Sequence, residues 1–463
     1  MKITIIGGGA HRVLGILRGA LARPGVLDDG SIHIHDLDTT RAEVMGRMLL
    51  QTPELRRARC RIAWTGPLAE ALAGADVVGI IMPAGSQRAF AQGHEPSLHH
   101  GFISSDNISP SGAMAAVRIA PVVLNIARQM EVHCPDAWLV NFVNPTAVLS
   151  GMVNNHTRIR AFGVCQGFTN HLWDIPRLFG RDEEASSLQV ESAGINHLAY
   201  VVKGQLEGRD LLATLAERMA DPAWRVPRLQ PWWNEAARQN ITRNVGRLAR
   251  VWRELGVLIF STEPDGMDHL MYDEAVAEAR TALPSASAID AAFSAEAARR
   301  AEADRTFHAL ANRNLDDTFW AEQWKTDYRF KREDEDIFVR IFAARAGVQE
   351  TRIATSRPNN GAIAGIKDRH VVEYTQTLGK DGPRHDGPYE VPDVVHGLTA
   401  GFAAHQTLLG DALAHEDPRE LAHALLSYPM RPYSGALRDL FRELLAINQA
   451  VIRPGLLGAA DYL

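Results

Sequence analysis

Cysteine is scarce in this chain of 463 residues, which contains only three. Cys60, Cys134 and Cys165 are too few and too far apart in sequence to form a disulfide framework, which excludes a small, disulfide-stabilised secreted fold. A reducing compartment is therefore expected. We predict that Cys60 and Cys134 are ordinary packing or surface residues. Cys165 is considered separately below because of the sequence around it.

An excess of positive charge is also lacking, since the formal net charge is -6. Nucleic-acid-binding proteins normally present a basic face, so we exclude nucleic acid as a partner. No apolar run approaches the roughly 20 residues that a membrane-spanning helix needs, and the chain begins on a predicted strand instead of a cleavable signal. These absences predict a cytoplasmic protein with no membrane partner. Hydrophobic residues make up 46% of the sequence, which is enough for a large core of two or three layers.

A glycine-rich turn follows the first predicted strand. The segment MKITIIGGGA runs into Gly7, Gly8 and Gly9, and a pattern of apolar residues at helical spacing follows from His11 to Ala22. Strand, glycine turn and helix together predict a phosphate cradle for a dinucleotide. The motif is imperfect because Arg12 stands where a third glycine is usual. A turn without a ligand is the simpler alternative.

The next predicted strand supports the dinucleotide interpretation. It covers residues 31–35 and ends in Asp36, at the position where an acidic residue accepts hydrogen bonds from the adenosine ribose. A carboxylate there repels a 2′-phosphate, so the sequence favours NAD over NADP as the cofactor. A solvated aspartate is the alternative.

Strand-length apolar segments continue to alternate with helical patterns. The further predicted strands cover residues 59–64, 76–82, 138–142 and 159–164, and the predicted helices cover residues 40–50, 68–72 and 111–130. Alternation with short connections predicts an α/β fold with a Rossmann-like, doubly wound parallel sheet. We assign this dinucleotide-binding domain to residues 1–170.

The pattern changes after residue 170. Residues 188–202 alternate like one antiparallel strand, and helices are predicted over 210–219, 233–255, 285–312, 335–346, 393–409 and 433–452. We therefore expect a second, mostly helical α+β region, residues 171–463, to pack over the crevice and to carry substrate-binding and oligomerisation surfaces.

A long polar segment, residues 83–112, separates one predicted strand from the next helix. Segments of this length without secondary structure are uncommon unless they are functional, so we predict a flap over the crevice. Arg88 and Asp106 are its candidate substrate-binding and catalytic side chains. Ordinary solvated side chains are the alternative for both.

Polar residues follow two neighbouring predicted strands at the points where they end. Asn144 follows the strand at 138–142, and Cys165 follows the strand at 159–164. Ligands gather beyond the carboxyl ends of parallel strands, so both side chains are expected to face one crevice. His197 is also expected to face it, and a thiolate with an imidazole suits a borderline divalent metal. On spacing alone, a core cysteine and an ordinary histidine are the better interpretation.

Six segments, taken in order, resemble family 4 of the glycoside hydrolases. They are IIGGGA from Ile5, SGAMAAVRIAPVVL from Ser111, CPDAWLVNFVNPTAV from Cys134, GVCQG from Gly163, AGINHLAY from Ala193 and RPNNGAIAGI from Arg357. They run from the first strand through most of the chain, so together they are far more specific than any single motif. The TEP segment at Thr262 favours the α-galactosidase and α-galacturonidase branch of that family.

The resemblance implies an NAD-dependent and metal-dependent glycosidase. In this family NAD oxidises the C3 hydroxyl of the sugar, a base removes the acidified C2 proton, and the glycosidic bond breaks by elimination; water then adds and the hydride returns. By the same resemblance, Cys165 and His197 match the ligands of a divalent ion such as Mn²⁺. Asn144 and Asn196 match sugar-binding amides.

The catalytic base is harder to assign. The family draws it from a tyrosine or an aspartate after the long helix, and here STEPDGMDHLMYDE from Ser261 offers Asp265, Asp268 and Tyr272. We rank Asp265 first because PDG predicts a turn that could present the carboxylate to the crevice. Asp106 stands where the family usually has a glutamate. Gln166 replaces the Asp, Asn or His that commonly follows the metal-binding cysteine, so a leaving-group acid at that position is absent.

The resemblance predicts a hexoside or hexuronide substrate, with a 6-phospho-glycoside as the alternative, and a homodimer or homotetramer. A 2-hydroxyacid dehydrogenase on a related scaffold would need a histidine paired with an aspartate and a substrate-binding arginine, but no thiol at Cys165. A nucleotide-sensing regulatory protein would leave Cys165 and His197 without a role. Removing the metal with a chelator and restoring Mn²⁺ separates these possibilities, because only the glycosidase should lose and regain activity.

Overall fold

The computed structural model describes residues 1–83, 85–181, 187–227, 234–262 and 264–463. The first residue of the helix predicted from Trp233 and the glutamate of the TEP segment, Glu263, lie outside these residues. The side chain of Gln166 is also outside the description.

The amino-terminal part alternates strands and helices. Its elements are β1 (Lys2–Ile6), α1 (Arg12–Ala22), β2 (Ser31–His35), α2 (Thr39–Leu50), α3 (Pro53–Ala58), β3 (Arg61–Thr65), α4 (Leu68–Leu72), β4 (Val77–Ile80), α5 (Gln87–Gln92), α6 (His94–His99), α7 (Pro110–His133), β5 (Trp138–Asn141), α8 (Thr146–His156), β6 (Arg160–Gly163) and α9 (His171–Leu178).

Antiparallel strands and longer helices make up the remainder. They are β7 (Leu188–Ile195), β8 (Leu198–Leu206), β9 (Arg209–Asp210), α10 (Leu211–Met219), α11 (Glu235–Leu255), α12 (Pro264–Leu270), α13 (Tyr272–Thr281), α14 (Ala286–Ala311), α15 (Asp317–Glu322), α16 (Ile337–Ala346), β10 (Thr351–Pro358), β11 (Val371–Gly379), β12 (Gly382–Arg384), α17 (Asp393–His415), α18 (Pro418–Leu426), α19 (Gly435–Asn448) and α20 (Pro454–Leu457).

The described strands form one sheet with the order β3-β2-β1-β4-β5-β6-β10-β11-β7-β8-β9, and β12 pairs with β11. The strands from β3 to β6 are parallel to one another. Their order, 3-2-1-4-5-6, is that of a doubly wound dinucleotide-binding sheet, so the predicted fold class is confirmed. From β10 onward the strands are antiparallel, and Ser356 of β10 joins Gly163 of β6.

Both faces of the inner parallel strands β1, β4 and β5 are covered by helices. Leu139 and Val140 are neighbours in β5, yet each is fully buried in a different hydrophobic cluster. Helices α7, α8 and α17 contribute to the first cluster, and helices α1, α2 and α16 to the second. Burial on both faces explains why these strands appear in the sequence as continuous apolar runs.

One described helix, α7, is long and apolar enough to cross a membrane by length and composition alone. Of its most apolar window, 83% is buried inside the fold. Burial by protein is the expected environment of a core helix, and α7 packs against α8 and α17.

Two sequence predictions are wrong in ways that matter for the site. The segment 83–112 is not an unstructured flap, because α5 and α6 lie within it and α7 begins at Pro110. These helices have only six residues each, too few to show an apolar stripe. The single strand predicted over 188–202 is instead the hairpin β7–β8, and the turn between its strands contains Asn196 and His197.

Candidate active site

The three glycines after β1 form a turn in which a Cβ atom would clash with neighbouring atoms. Gly7 has φ +77°, and a Cβ atom there would lie 2.1 Å from the carbonyl oxygen of Ile81. At Gly8 a Cβ atom would lie 2.5 Å from Cγ2 of Ile34. The backbone N–H groups of Gly7 and Gly8 both donate to the carbonyl oxygen of His35, at 3.0 Å. The turn therefore requires glycine and leaves its outer surface open to a close backbone approach, which fits a dinucleotide pyrophosphate.

Asp36 lies directly beside this turn. Its Oδ2 accepts a hydrogen bond from the N–H of Gly9 at 2.9 Å, and its Oδ1 accepts one from the N–H of Asp38 at 3.0 Å. The carboxylate is thus held at the end of β2, where the sequence predicts contact with a ribose. Arg12, at the place of the missing third glycine, pairs with Asp336 at 2.8 Å and stacks over the ring of Phe142.

Cys165 and His197 come together although 32 residues separate them. Cys165 follows β6 and its Sγ accepts a hydrogen bond from the N–H of Gly167 at 3.4 Å. His197 occupies the β7–β8 turn with φ +68°. The distance from Sγ of Cys165 to Nε2 of His197 is 3.3 Å.

This separation suits two ligands of one metal ion. With metal–sulfur and metal–nitrogen bonds of about 2.3 Å and 2.1 Å, two ligand atoms at 90–109° about an ion are roughly 3.1–3.6 Å apart. Among the described residues, no group of three or more His, Cys, Asp or Glu side chains is placed to hold a metal. Any ion bound by Cys165 and His197 would therefore keep positions open for substrate or water oxygens.

Asp265 lies on the other side of the His197 ring. Its Oδ2 is 3.3 Å from Nδ1 of His197, and the aspartate side chain is 9% exposed. Burial tends to raise the pKa of Asp265, but the contact with His197 outweighs this effect and the pKa lies below its usual value. A carboxylate behind a histidine fixes the ring orientation and leaves the other nitrogen for a metal.

Close packing of α12 explains how Asp265 reaches this position. The predicted PDG turn is wrong, because Pro264, Asp265 and Gly266 form the first turn of α12. A Cβ atom at Gly266 would lie 1.7 Å from the carbonyl oxygen of His197, so only glycine allows the helix to touch the hairpin. His269 also anchors α12, since its Nε2 lies 2.9 Å from the hydroxyl oxygen of Tyr428.

Asn196, the neighbour of His197, lies in a buried polar network. Its Oδ1 accepts hydrogen bonds from Asn107 at 2.5 Å and from Thr146 at 3.0 Å, and its Nδ2 donates to Glu373 at 2.8 Å. Glu373 also accepts a hydrogen bond from Ser356 at 3.0 Å. The network fixes the amide between the parallel and antiparallel parts of the sheet.

Asn107, Thr146 and Glu373 were not predicted as parts of this network. The only local signals for Asn107 and Thr146 were their positions next to Asp106 and close to Asn144. Glu373 lies within β11, which the sequence analysis did not predict. Because β11 is buried on both faces but contains threonine, glutamine and glutamate, it shows neither strand alternation nor an apolar run.

The remaining predicted residues do not all lie near Cys165 and His197. Asn144 and Asp106 are both half-buried, and the latter lies between Ser105, which is close to Asp265, and Asn107. Arg88 is 59% exposed and pairs with Asp290 of α14 at 2.9 Å, so the structure does not bring it to Cys165.

Two of the three base candidates interact elsewhere. Asp268 binds Arg247 at 2.5 Å, and burial raises the pKa of Asp268 despite this pairing. Tyr272 accepts a hydrogen bond from the N–H of Ile103 at 3.3 Å, and burial raises the pKa of Tyr272 to about 12. A tyrosine with that pKa is protonated near neutral pH.

Comparison with known sequences decides the family. Residues 2–175 match the sequence profile of the family 4 glycosyl hydrolases, and residues 192–430 match the profile of the family 4 glycosyl hydrolase C-terminal domain. The chain belongs to family 4 of the glycosyl hydrolases. This family 4 enzyme is therefore a glycosidase, as the sequence motifs predicted.

Relatives of this family 4 enzyme match it over nearly their whole length. A probable 6-phospho-beta-glucosidase of Bacillus subtilis (strain 168) is 22% identical over 98% of this chain and 97% of its own. An alpha-galacturonidase of Thermoanaerobacter italicus is 24% identical over 96% of this chain and 95% of its own. The two relatives differ in substrate name, so they do not decide the substrate of this enzyme.

A solved structure has the same fold. It is a 6-phospho-alpha-glucosidase from gut microorganisms in complex with NAD and Mn²⁺, with a TM-score of 0.74 and 19% identity over 97% of this chain and 98% of that one.

Proposed function

We propose that this family 4 enzyme hydrolyses a hexoside or hexuronide with the help of NAD and a divalent ion, Mn²⁺, which is held by Cys165 and His197. The observation that carries the proposal is the 3.3 Å approach of Sγ to Nε2 in a fold that also contains the glycine turn and Asp36. A structure of similar fold was solved with NAD and Mn²⁺.

The protein side chains would have distinct roles in this reaction. When bound, NAD would supply hydride transfer at C3 of the sugar, and the divalent ion would supply Lewis-acid polarisation of the C2 hydroxyl and C3 carbonyl. This chemistry permits deprotonation at C2 and elimination of the glycosidic bond. Asp36 and the glycine turn bind the dinucleotide. Asn196, held in one orientation by its network, and Asn144 orient the sugar.

Asp265 is the residue we propose to act next to the metal ligands. Its lowered pKa keeps the carboxylate ionised near neutral pH, a state suited both to holding the imidazole of His197 and to accepting a proton. Asp268 and Tyr272 are weaker candidates for the base because they bind Arg247 and the backbone of Ile103. Asp106 remains a proposed catalytic residue, since it directly precedes Asn107 of the buried network.

We favour a substrate without a phosphate group. Arg12 and Arg247 each pair with a carboxylate, which offsets the positive charge that binding of a sugar phosphate would need. The alpha-galacturonidase relative supports this choice, and the 6-phospho-beta-glucosidase relative supports the alternative.

One assay tests the proposal. The protein is incubated with NAD, Mn²⁺ and nitrophenyl glycosides, phosphorylated and unphosphorylated, in deuterated water. We expect release of nitrophenol from an unphosphorylated glycoside and deuterium at C2 of the released sugar, with loss of activity in a chelator and recovery on adding Mn²⁺. Unlabelled product from an active enzyme rules out elimination, and accumulation of NADH indicates a dehydrogenase instead.

The assembly, the compartment and the domain division are also proposals. We propose a cytoplasmic homodimer or homotetramer whose dinucleotide-binding domain covers residues 1–170 and whose catalytic and oligomerisation region covers 171–463. Light scattering of the purified protein measures the oligomer directly, and a monomer at micromolar concentration contradicts this part of the proposal.

A further inference from the structure

A cavity beside the glycine turn has one wall from a distant helix. The cavity measures about 460 Å³. Gly9, Asp38 and Arg41 line it on the side of the turn, and the carboxyl-terminal half of α14 lines it on the other side. The residues from α14 are Ala301, Asp304, Arg305, Phe307 and His308. This part of the chain therefore completes a space that begins at the predicted dinucleotide cradle.

Asp304 links α14 to the cradle through a histidine and an arginine. Its Oδ1 lies 3.0 Å from Nε2 of His11 and 3.3 Å from Nη2 of Arg41. His11 directly precedes α1, and Arg41 lies in the first turn of α2. One carboxylate thus bridges both sides of the glycine turn.

Arg41 lies directly against the residue expected to hold the adenosine ribose. A Cβ atom added to Gly9 would lie 2.6 Å from Cβ of Arg41 and 2.9 Å from Oδ2 of Asp36, so the three residues are in close contact. Nε of Arg41 is buried and has no hydrogen-bond partner among the described residues. The Arg41 side chain as a whole is 29% exposed and lines the cavity.

The chain consequently contains both residue types that decide between NAD and NADP. In dinucleotide-binding folds, an acid after the second strand binds the ribose 2′-hydroxyl of NAD, whereas a nearby arginine accommodates the 2′-phosphate of NADP. Asp36 is the first and Arg41 is the second. Asp36 repels a 2′-phosphate, but a free Arg41 guanidinium group would offset that repulsion.

We propose that Asp304 of α14 is a cofactor-specificity determinant, which neutralises Arg41 and thereby prevents it from serving as a 2′-phosphate site. The inference rests on the proposed function, since it assumes that the glycine turn binds a dinucleotide. The Asp304 carboxylate already pairs with the Arg41 guanidinium group, and its negative charge repels a second anion such as a 2′-phosphate. Specificity then depends on a residue 263 positions away from Arg41 in sequence.

The test compares binding of NAD⁺ and NADP⁺ to the full-length protein by isothermal titration calorimetry. In Asp304→Asn the ratio of the two dissociation constants is expected to shift toward NADP⁺ by about tenfold, which is the change for one charge-assisted contact. The ratio isolates the 2′-phosphate, since both dinucleotides share every other group. Asp304→Glu keeps the charge and is expected to retain the wild-type preference.

Two further variants assign the effect. Asp290→Asn is a matched control, because Asp290 also lies on α14 and pairs with an arginine, Arg88, but does not line the cavity. It should leave the ratio unchanged. Arg41→Gln in the Asp304→Asn background should abolish the gain for NADP⁺. Asp304→Ser is expected to show the same shift in the ratio as Asp304→Asn. If the melting temperature shows that one of these two variants is misfolded, the other still tests the proposal.

The outcomes separate this inference from the proposed function. NAD⁺ binding with an unchanged ratio in both Asp304→Asn and Asp304→Ser overturns the inference and leaves the proposed function standing. A gain that persists after Arg41→Gln also overturns it. Failure of the wild-type protein to bind either dinucleotide overturns the proposed function and this inference with it.

Discussion

Replacing Asp265 by asparagine should weaken Mn²⁺ binding without unfolding the protein. The aspartate side chain is 9% exposed, and its Oδ2 lies 3.3 Å from Nδ1 of His197. Asparagine has nearly the same shape and keeps one oxygen as an acceptor, but it removes the negative charge that supports the imidazole as a ligand.

The expected magnitude follows from this geometry. Loss of a residue that orients a metal ligand typically reduces metal affinity about 10–100-fold, or about 1.4–2.7 kcal/mol. Because asparagine can still accept a hydrogen bond from Nδ1, we expect Asp265→Asn near the lower end of this range and Asp265→Ala near the upper end. Calorimetric titration of Mn²⁺ into the metal-free protein measures the change without any turnover.

Asp268→Asn is the matched control for this experiment. Asp268 lies in the same helix three residues later, and its carboxylate binds Arg247 instead of His197. Equal Mn²⁺ affinities for the Asp265 and Asp268 variants would refute the role of Asp265 behind His197. Turnover at saturating Mn²⁺ distinguishes its two proposed roles: activity returns if Asp265 only orients His197, and C2 deuterium exchange stays lost if Asp265 is also the base.

Three further predictions follow from the same structure. Gly7→Ala should abolish the thermal stabilisation by NAD, because the added methyl group meets the backbone of residue 81. Gly74→Ala is the control: its φ is similar but its surroundings are open, so it should cost only about 1–2 kcal/mol of strain and keep the stabilisation by NAD. Burial lowers the pKa of His405 to about 4, so the unfolded chain takes up a proton near pH 6.5 while the folded protein does not. Stability should therefore fall by about 2 kcal/mol between pH 7 and pH 5 through this group, and urea unfolding of His405→Gln should lack this component. A thiol reagent should modify the half-buried Cys165 first, since the other two cysteines are buried and their pKa values are raised to about 11. Mn²⁺ should protect Cys165 from the reagent, and modification at the same rate with and without Mn²⁺ contradicts the metal site.

The parallel half of the fold was predictable because its signals are local. The strand predicted at 31–35 and the helix predicted at 68–72 coincide with β2 and α4. The inner parallel strands β1, β4 and β5 are buried on both faces and carry apolar runs, and the turn at Gly7 needs a backbone conformation that glycine adopts readily. The short helices α3, α5 and α6 were missed, since at least half of the residues in each are polar, whereas four of the five residues of α4 are apolar.

The antiparallel half was harder to predict. The alternation in 188–202 continues across the hairpin turn, so the sequence suggested one strand where the structure has β7 and β8. The difference matters because the turn places His197 in a left-handed conformation with its ring beside Cys165. Strand β11 was missed because its buried polar residues are satisfied by distant partners, as with Glu373 and Asn196.

The amino-acid sequence by itself determined the doubly wound sheet, the glycine turn and the family, because each depends on residues close together in the chain or on motifs in a fixed order. Only the tertiary structure decided which carboxylates matter. Asp265 reaches His197 across 68 positions because Gly266 lets a helix touch the hairpin, and Asp304 reaches Arg41 because α14 packs on α2. Such contacts depend on how whole helices and strands pack against one another, and no local sequence pattern predicts that packing.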